Sequence, residues 1–226
     1  MKYRAQNIRT LTSDELLSIL CKSAKLYSEY VDTTLLFIFR EKKADAYDFY
    51  EVRFGKNNFM HLAGIKSETL SAVEFYDACI NGTITKKDCT PRRDANTMYS
   101  KVAIMEQMLD LRNSKCYKIG DKDLVTRDND FEMATGNSVG VMGYDSRIRI
   151  KGTNKLDKTK SPIPTTLLNN SITQYCSRPH KIMFILQKSD GEDTYNKLFY
   201  EIKKDLILTE QEVFADELKA LIKIGI

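Results

Sequence analysis

Leu35-Leu36-Phe37-Ile38-Phe39, followed by Tyr50-Glu51-Val52-Arg53-Phe54, is the stretch that decides the fold. The first run is apolar without interruption, as a central strand buried on both faces must be. The second alternates apolar with charged residues, as a half-exposed partner strand should. Lys42-Lys43-Ala44-Asp45 between them reads as a hairpin connection. The pattern returns near the C-terminus. Ile182 to Leu186 is a second apolar run inside a strand expected over 181–188. Leu198, Tyr200 and Ile202 alternate with Lys197, Phe199 and Glu201 in a partner over 195–203, and Ser189-Asp190-Gly191-Glu192-Asp193 forms the turn. Residues 137–143 make one further strand, whose glycines mark a bulge or a close approach.

Helices punctuate these hairpins. Thr12-Ser13-Asp14-Glu15, Ser71-Ala72-Val73-Glu74 and Thr209-Glu210-Gln211-Glu212 each place a glutamate three residues after a hydroxyl side chain. That spacing lets side chains satisfy the orphan backbone donors of a first helical turn. The periodicity behind them predicts helices over 13–30, from Ser71 to a stop at Asn81-Gly82, and over 209–222. Another begins near Asn96, with Met98, Val102, Met105 and Leu109 on its buried stripe. Hairpins with helices segregated to a face predict an α+β fold: a small antiparallel sheet with helices packed on one face. One domain over 1–226 is expected, its core at 33–203 and the first and last helices as additions. The lysine-rich segment 149–161 reads as a surface loop.

With 226 residues, 42% hydrophobic and 29% charged, the chain can bury a core and is not disordered throughout. Its net charge of +4 permits an anionic partner without requiring one. The 5 cysteines, Cys21, Cys79, Cys89, Cys116 and Cys176, are odd in number and lack a C-x-x-C pair, which argues against a disulfide framework and a zinc site. No apolar stretch follows the N-terminal charges, and no run approaches the ~20 residues of a membrane span. A protein of the host-cell cytoplasm, away from membranes, is the expectation. Nucleophile-elbow, phosphate-loop and dinucleotide fingerprints are absent, and no histidine–carboxylate group has metal-ligand spacing. No metal or cofactor is expected.

The chain has 2 histidines, so chemistry that needs an imidazole has little choice. His61 stands in Asn57-Asn58-Phe59-Met60-His61-Leu62-Ala63-Gly64-Ile65, read as a short loop between the first hairpin and the Ser71 helix. It is either exposed to a ligand or hydrogen-bonded to a backbone carbonyl that locks the loop.

The aromatic hairpin, Asn58-Phe59-Met60-His61-Leu62-Ala63-Gly64 and Ser71-Ala72-Val73-Glu74-Phe75-Tyr76-Asp77-Ala78-Cys79 together resemble the fourth family of phage-associated Barnase–EndoU–colicin–RelE-like nuclease domains. Pro164-Thr165-Thr166-Leu167-Leu168 and Lys181-Ile182-Met183-Phe184-Ile185-Leu186 resemble its later segments. The resemblance implies a Barnase/EndoU/RelE-like fold and a metal-independent endoribonuclease of a phage or mobile element. It implies attack of a ribose 2′-hydroxyl on the adjacent phosphate, with His61 as acid or base. RNA is then the expected partner.

For the phosphate, Arg178 and Lys181 flank an apolar strand, unless they are simply its solvated ends. Thr165 and Thr166 offer hydroxyl donors, although Thr165 beside Pro164 is equally a helix cap. Tyr144 and Ser138 would approach from the glycine-containing strand. His180 is either a second acid/base or a surface histidine. Arg147, Arg149 and Lys151 extend the expected positive patch. The alternative function is a nuclease-like domain without catalysis that binds and inhibits a host defence protein. The oligomeric state is open.

Overall fold

In the computed structural model the apolar run at 35–39 becomes the inner strand of the hairpin. The structure describes residues 10–40, 46–113, 117–120, 124, 131–145 and 161–224. The strands are β1 (Thr33–Arg40), β2 (Tyr47–Phe54), β3 (Ile65–Lys66), β4 (Thr90–Pro91), β5 (Lys118–Gly120), β6 (Met133–Gly136), β7 (Val141–Asp145), β8 (Ile163–Leu168), β9 (His180–Ser189) and β10 (Lys197–Glu201). The helices are α1 (Ser13–Tyr27), α2 (Lys56–Leu62), α3 (Ala72–Asn81), α4 (Ala95–Leu109), α5 (Leu206–Glu210) and α6 (Asp216–Leu221). Eight strands make one antiparallel sheet in the order β2-β1-β9-β5-β6-β7-β8, with β10 also on β9. The sheet curls into a half-barrel, and its two ends meet where the Arg53 N–H donates to the Pro162 carbonyl at 2.8 Å. The fold is α+β.

β1 is buried on both faces for different reasons. Leu35, Phe37 and Phe39 face a large core built with α1 to α4, whereas Leu36 and Ile38 face a smaller one with Phe184, Leu186, Tyr195, Phe214 and Leu218. That is why the run is uninterrupted: alternate residues enter different cores.

Buried tyrosines then fix the helices that matter below. Tyr27 donates its hydroxyl to the Gly55 carbonyl at 3.0 Å, at the start of α2. Tyr30 and Tyr117 donate to the carbonyls of Leu109 and Met108, both at 2.9 Å, satisfying the open end of α4.

The capping boxes of Thr12 and Ser71 form, and the stripe Met98, Val102, Met105 and Leu109 is buried. Four details differ from the sequence expectation. His61 belongs to a short helix, not to a loop. Residues 137–140 are a turn between β6 and β7, because the Asn137 side chain accepts the N–H groups of Val139 and Gly140, and the expected strand begins only at Val141 as β7. Thr165 lies within β8 and caps no helix. The helix expected over 209–222 is broken: the Thr209 hydroxyl turns back to the Leu206 carbonyl, and Phe214 leaves helical geometry to pack on Tyr47 and Phe184. The connection at 42–45 and the loop at 149–160 lie outside the described residues.

Candidate active site

α2 is positioned by its apolar face. Phe59 and Leu62 are buried, and Phe59 packs against the rings of Tyr27, Phe75 and Tyr76. Asn58 is buried as well, and its side-chain carbonyl accepts the Gly55 N–H at 3.0 Å. With those residues held inward, His61 is left half-buried at the margin of the helix, against β8.

There β8 has a useful irregularity. Gly143 of β7 pairs with Thr166 and Tyr144 pairs with Pro164, so Thr165 is the extra residue of a bulge. A bulge leaves a backbone group outside the strand ladder and re-aims side chains. The His61 ring hydrogen-bonds the Thr165 backbone, and the Thr165 hydroxyl donates to the Gly143 carbonyl at 3.2 Å.

Three cations complete the surroundings. Lys101, half-buried on α4, donates from Nζ to the Thr166 hydroxyl at 3.0 Å. Arg92 and Arg93 follow β4, which is tied to β3 immediately after α2. The Arg92 N–H donates to the Gly64 carbonyl at 2.9 Å. Gly64 sits in left-handed backbone at φ +69°, and a Cβ there would come within 2.9 Å of the Lys101 stem. Glycine is therefore required both by the turn and by the lysine crossing it. Asp94, the nearest acid in sequence, caps α4 through Thr97, and its carboxylate also lies in the field of Arg93.

Electrostatics follow from the crowding. Burial, then the fields of Arg92, Lys101 and Arg93, push the His61 imidazole down to about 4, against a smaller opposing effect of the Thr165 hydrogen bond. Burial and the two arginines also push the Lys101 ammonium down to about 8. Near neutral pH the imidazole is thus an unprotonated base, and the lysine a protonated group of weakened hold.

The profile of the family described as phage-Barnase-EndoU-ColicinE5/D-RelE like nuclease4 matches residues 19–204. The chain belongs to this family. It is a nuclease-like protein of the Barnase–EndoU–RelE type, as the resemblance of the His61 segment implied. No curated protein and no solved structure matches the chain. Among the described residues no helix is long and apolar enough to cross a membrane.

Of the residues singled out in sequence, the structure brings together His61, Thr165 and Thr166. Tyr144 is placed elsewhere: it is fully buried, with its hydroxyl 2.6 Å from that of Thr135, so it cannot meet a ligand in this arrangement. Ser138 is in the β6–β7 turn. The neighbouring Gly140 abuts Met108, about 10 Å along α4 from Lys101. Arg178, His180 and Lys181 stand at the start of β9, and β5, β6 and β7 separate that strand from β8 in the sheet. His180 packs its ring 5.5 Å from that of Phe39. Arg147, Arg149 and Lys151 lie outside the described residues.

Lys101, Arg92 and Arg93 are not among the residues that the sequence motifs point to. Lys101 carried a legible signal, since it falls one turn after Met98 and one before Met105, where a stripe residue should be apolar. The arginines carried none beyond their adjacency, because a two-residue bridge such as β3–β4 has no periodicity to read.

Proposed function

We propose that the protein is a metal-independent endoribonuclease with His61 as general base and Lys101 as general acid. The observation that carries this reading is the convergence of one unprotonated imidazole with Lys101, Arg92 and Arg93 around the Thr165 bulge. In the step proposed, His61 takes the proton of a ribose 2′-hydroxyl as its oxygen attacks the adjacent phosphorus. The P–O5′ bond breaks, and the leaving 5′-oxygen receives its proton from the Lys101 ammonium. Arg92 and Arg93 balance charge building on the non-bridging oxygens. The products are a 2′,3′-cyclic phosphate and a 5′-hydroxyl. Thr166 orients the lysine, and the Thr165 backbone orients the imidazole.

The test is incubation of purified protein with single-stranded and looped RNA in excess chelator, followed by analysis of the ends. Cleavage leaving cyclic phosphate supports the reading; activity lost in chelator and restored by magnesium overturns it. A second reading, a binding protein that blocks a host defence component, is favoured by one observation: the other histidine, His180, is packed on Phe39 rather than beside His61. Under that reading the cationic site binds its partner, and RNA survives intact.

A further inference from the structure

Residues 205–224 follow the stretch that the family shares, and their apolar side chains pack with Leu36 and Ile38 of β1. They are fastened there at several points. Phe214 packs on Tyr47 and Phe184, the Tyr47 hydroxyl donates to the Glu210 carboxylate at 2.7 Å, and Leu218 is buried. Beyond them the Tyr195 N–H donates to the Leu221 carbonyl at 2.7 Å, and the Lys223 N–H to the Tyr195 carbonyl at 2.8 Å. The helices α2 and α4 of the candidate site pack instead with Leu35, Phe37 and Phe39. The C-terminal segment and the His61 site therefore belong to opposite faces of β1.

This fixed segment carries apolar surface into solvent. Among the described residues the exposed large apolar side chains are Val73, Leu208 and Val213, and two of those three stand here. Val213 is 66% exposed because the chain turns extended at Phe214, which sends that ring inward and leaves its neighbour outside. Beside it lies an open groove of about 340 Å³, lined by Gln211, Glu212, Phe214, Lys219 and Ile222. Protrusion and recess are thus neighbours. The groove holds both signs of charge, Glu212 and Lys219, and among the described residues neither has an ion-pair partner. Asp216, Glu217 and Lys223, all exposed, continue the mixture. A nucleic acid or an anionic membrane selects a surface of one sign, which this is not.

We propose that this face is a two-fold dimer interface, covered by a second copy of the chain. A two-fold contact is self-complementary: where one residue meets a second on the partner, that second meets the first. Such a face must hold both a protrusion and a recess, and both members of each ion pair. This one does. Val213 of each copy enters the groove of the other with Leu208 beside it, and Glu212 of each copy pairs with the partner's Lys219. The segment is already fixed in the single chain, so association orders little. Part of it faces the sheet, so it offers fewer than the about 20–30 residues a side of a standard interface, and the dimer belongs to the weak, reversible class. Lying on the other face of β1, the His61 sites stay uncovered.

The experiment is sedimentation equilibrium of the full chain from low micromolar to submillimolar concentration, with circular dichroism confirming that each variant folds. The parent should pass from monomer to dimer as concentration rises. Val213→Asp, at a side chain outside the core, should weaken the dimer by about tenfold or more, since it buries an unpaired charge at the contact. Glu212→Lys and Lys219→Glu should each weaken it severalfold, because like charges then face each other on both sides of the axis. Mixed together, these two single variants should associate with one another, since both cross pairs are restored. The double variant should likewise recover association with itself. A chain that stays monomeric at every concentration overturns the proposal and leaves the face to a partner of another kind. A dimer indifferent to all three substitutions, or charge variants that fail to rescue each other, overturns its placement here. RNA cleavage is not the readout, so neither failure touches the ribonuclease reading.

Discussion

At the candidate site the surroundings push both His61 and Lys101 towards their unprotonated forms, and each shift has a pH signature. For the free protein, kcat/KM on RNA should be level between about pH 4 and pH 8. It should fall below that range as His61 takes up a proton and above it as Lys101 loses one. His61→Ala should lower the rate by about 10²–10⁴-fold and remove the acidic limb. Lys101→Arg keeps a charge but cannot release a proton, so it should lower the rate and erase the alkaline limb. Stability gives an independent check. In the unfolded chain His61 titrates near 6.5, above its folded value, so between about pH 4 and 6.5 the unfolded state binds more protons. Unfolding free energy should therefore rise with pH through that window, and His61→Ala should flatten the rise. An unchanged denaturation profile in the variant would show that the imidazole is not desolvated as the structure has it.

The pieces that hold the site were unevenly legible. Helices with capping boxes, α1 and α3, and the one with a long stripe, α4, could be read because local hydrogen bonds and periodicity specify them. α2 could not, since seven residues after a glycine give too few turns for a stripe, and tertiary packing of Phe59 and Leu62 supplies the stability instead. The bulge at Thr165 was hidden for another reason: it is a property of pairing with β7, and nothing within Pro164-Thr165-Thr166 announces it. Gly64 joins these parts, leading α2 into β3 while Lys101 passes over it. Gly64→Ala should cost about 1–2 kcal/mol for the left-handed backbone alone. It should also displace the lysine stem, so catalysis should fall by more than the lost folded fraction explains. Urea denaturation beside single-turnover kinetics separates the two effects. A variant as stable and as active as the parent would remove Gly64 from the construction of the site.

Curling of the sheet decides which cations can act together, and the order of strands in it differs from their order along the chain. Arg178 and Lys181 bracket an obvious apolar strand, so the eye assigns them to the open end of the sheet where a phosphate would sit. The strand order β2-β1-β9-β5-β6-β7-β8 places three strands between them and β8, whereas the inconspicuous β3–β4 bridge delivers Arg92 and Arg93 to His61. Strand order arises from long-range pairing, and no local pattern encodes it. The two sets of cations make opposed predictions for binding to single-stranded RNA. Each phosphate neutralised releases counterions, so the log–log dependence of affinity on salt should have a slope of about −0.7 per contact. With catalysis silenced by His61→Ala, the further double change Arg92→Ala with Arg93→Ala should weaken binding and make the slope shallower by about 1.4, if each arginine neutralises one phosphate. Arg178→Ala with Lys181→Ala on the same background should leave the slope within error. Fluorescence anisotropy of a labelled oligonucleotide across a salt series reads both. A slope that responds only to the β9 pair would move the RNA path away from α2, and with it the assignment of Arg92 and Arg93 to the scissile phosphate.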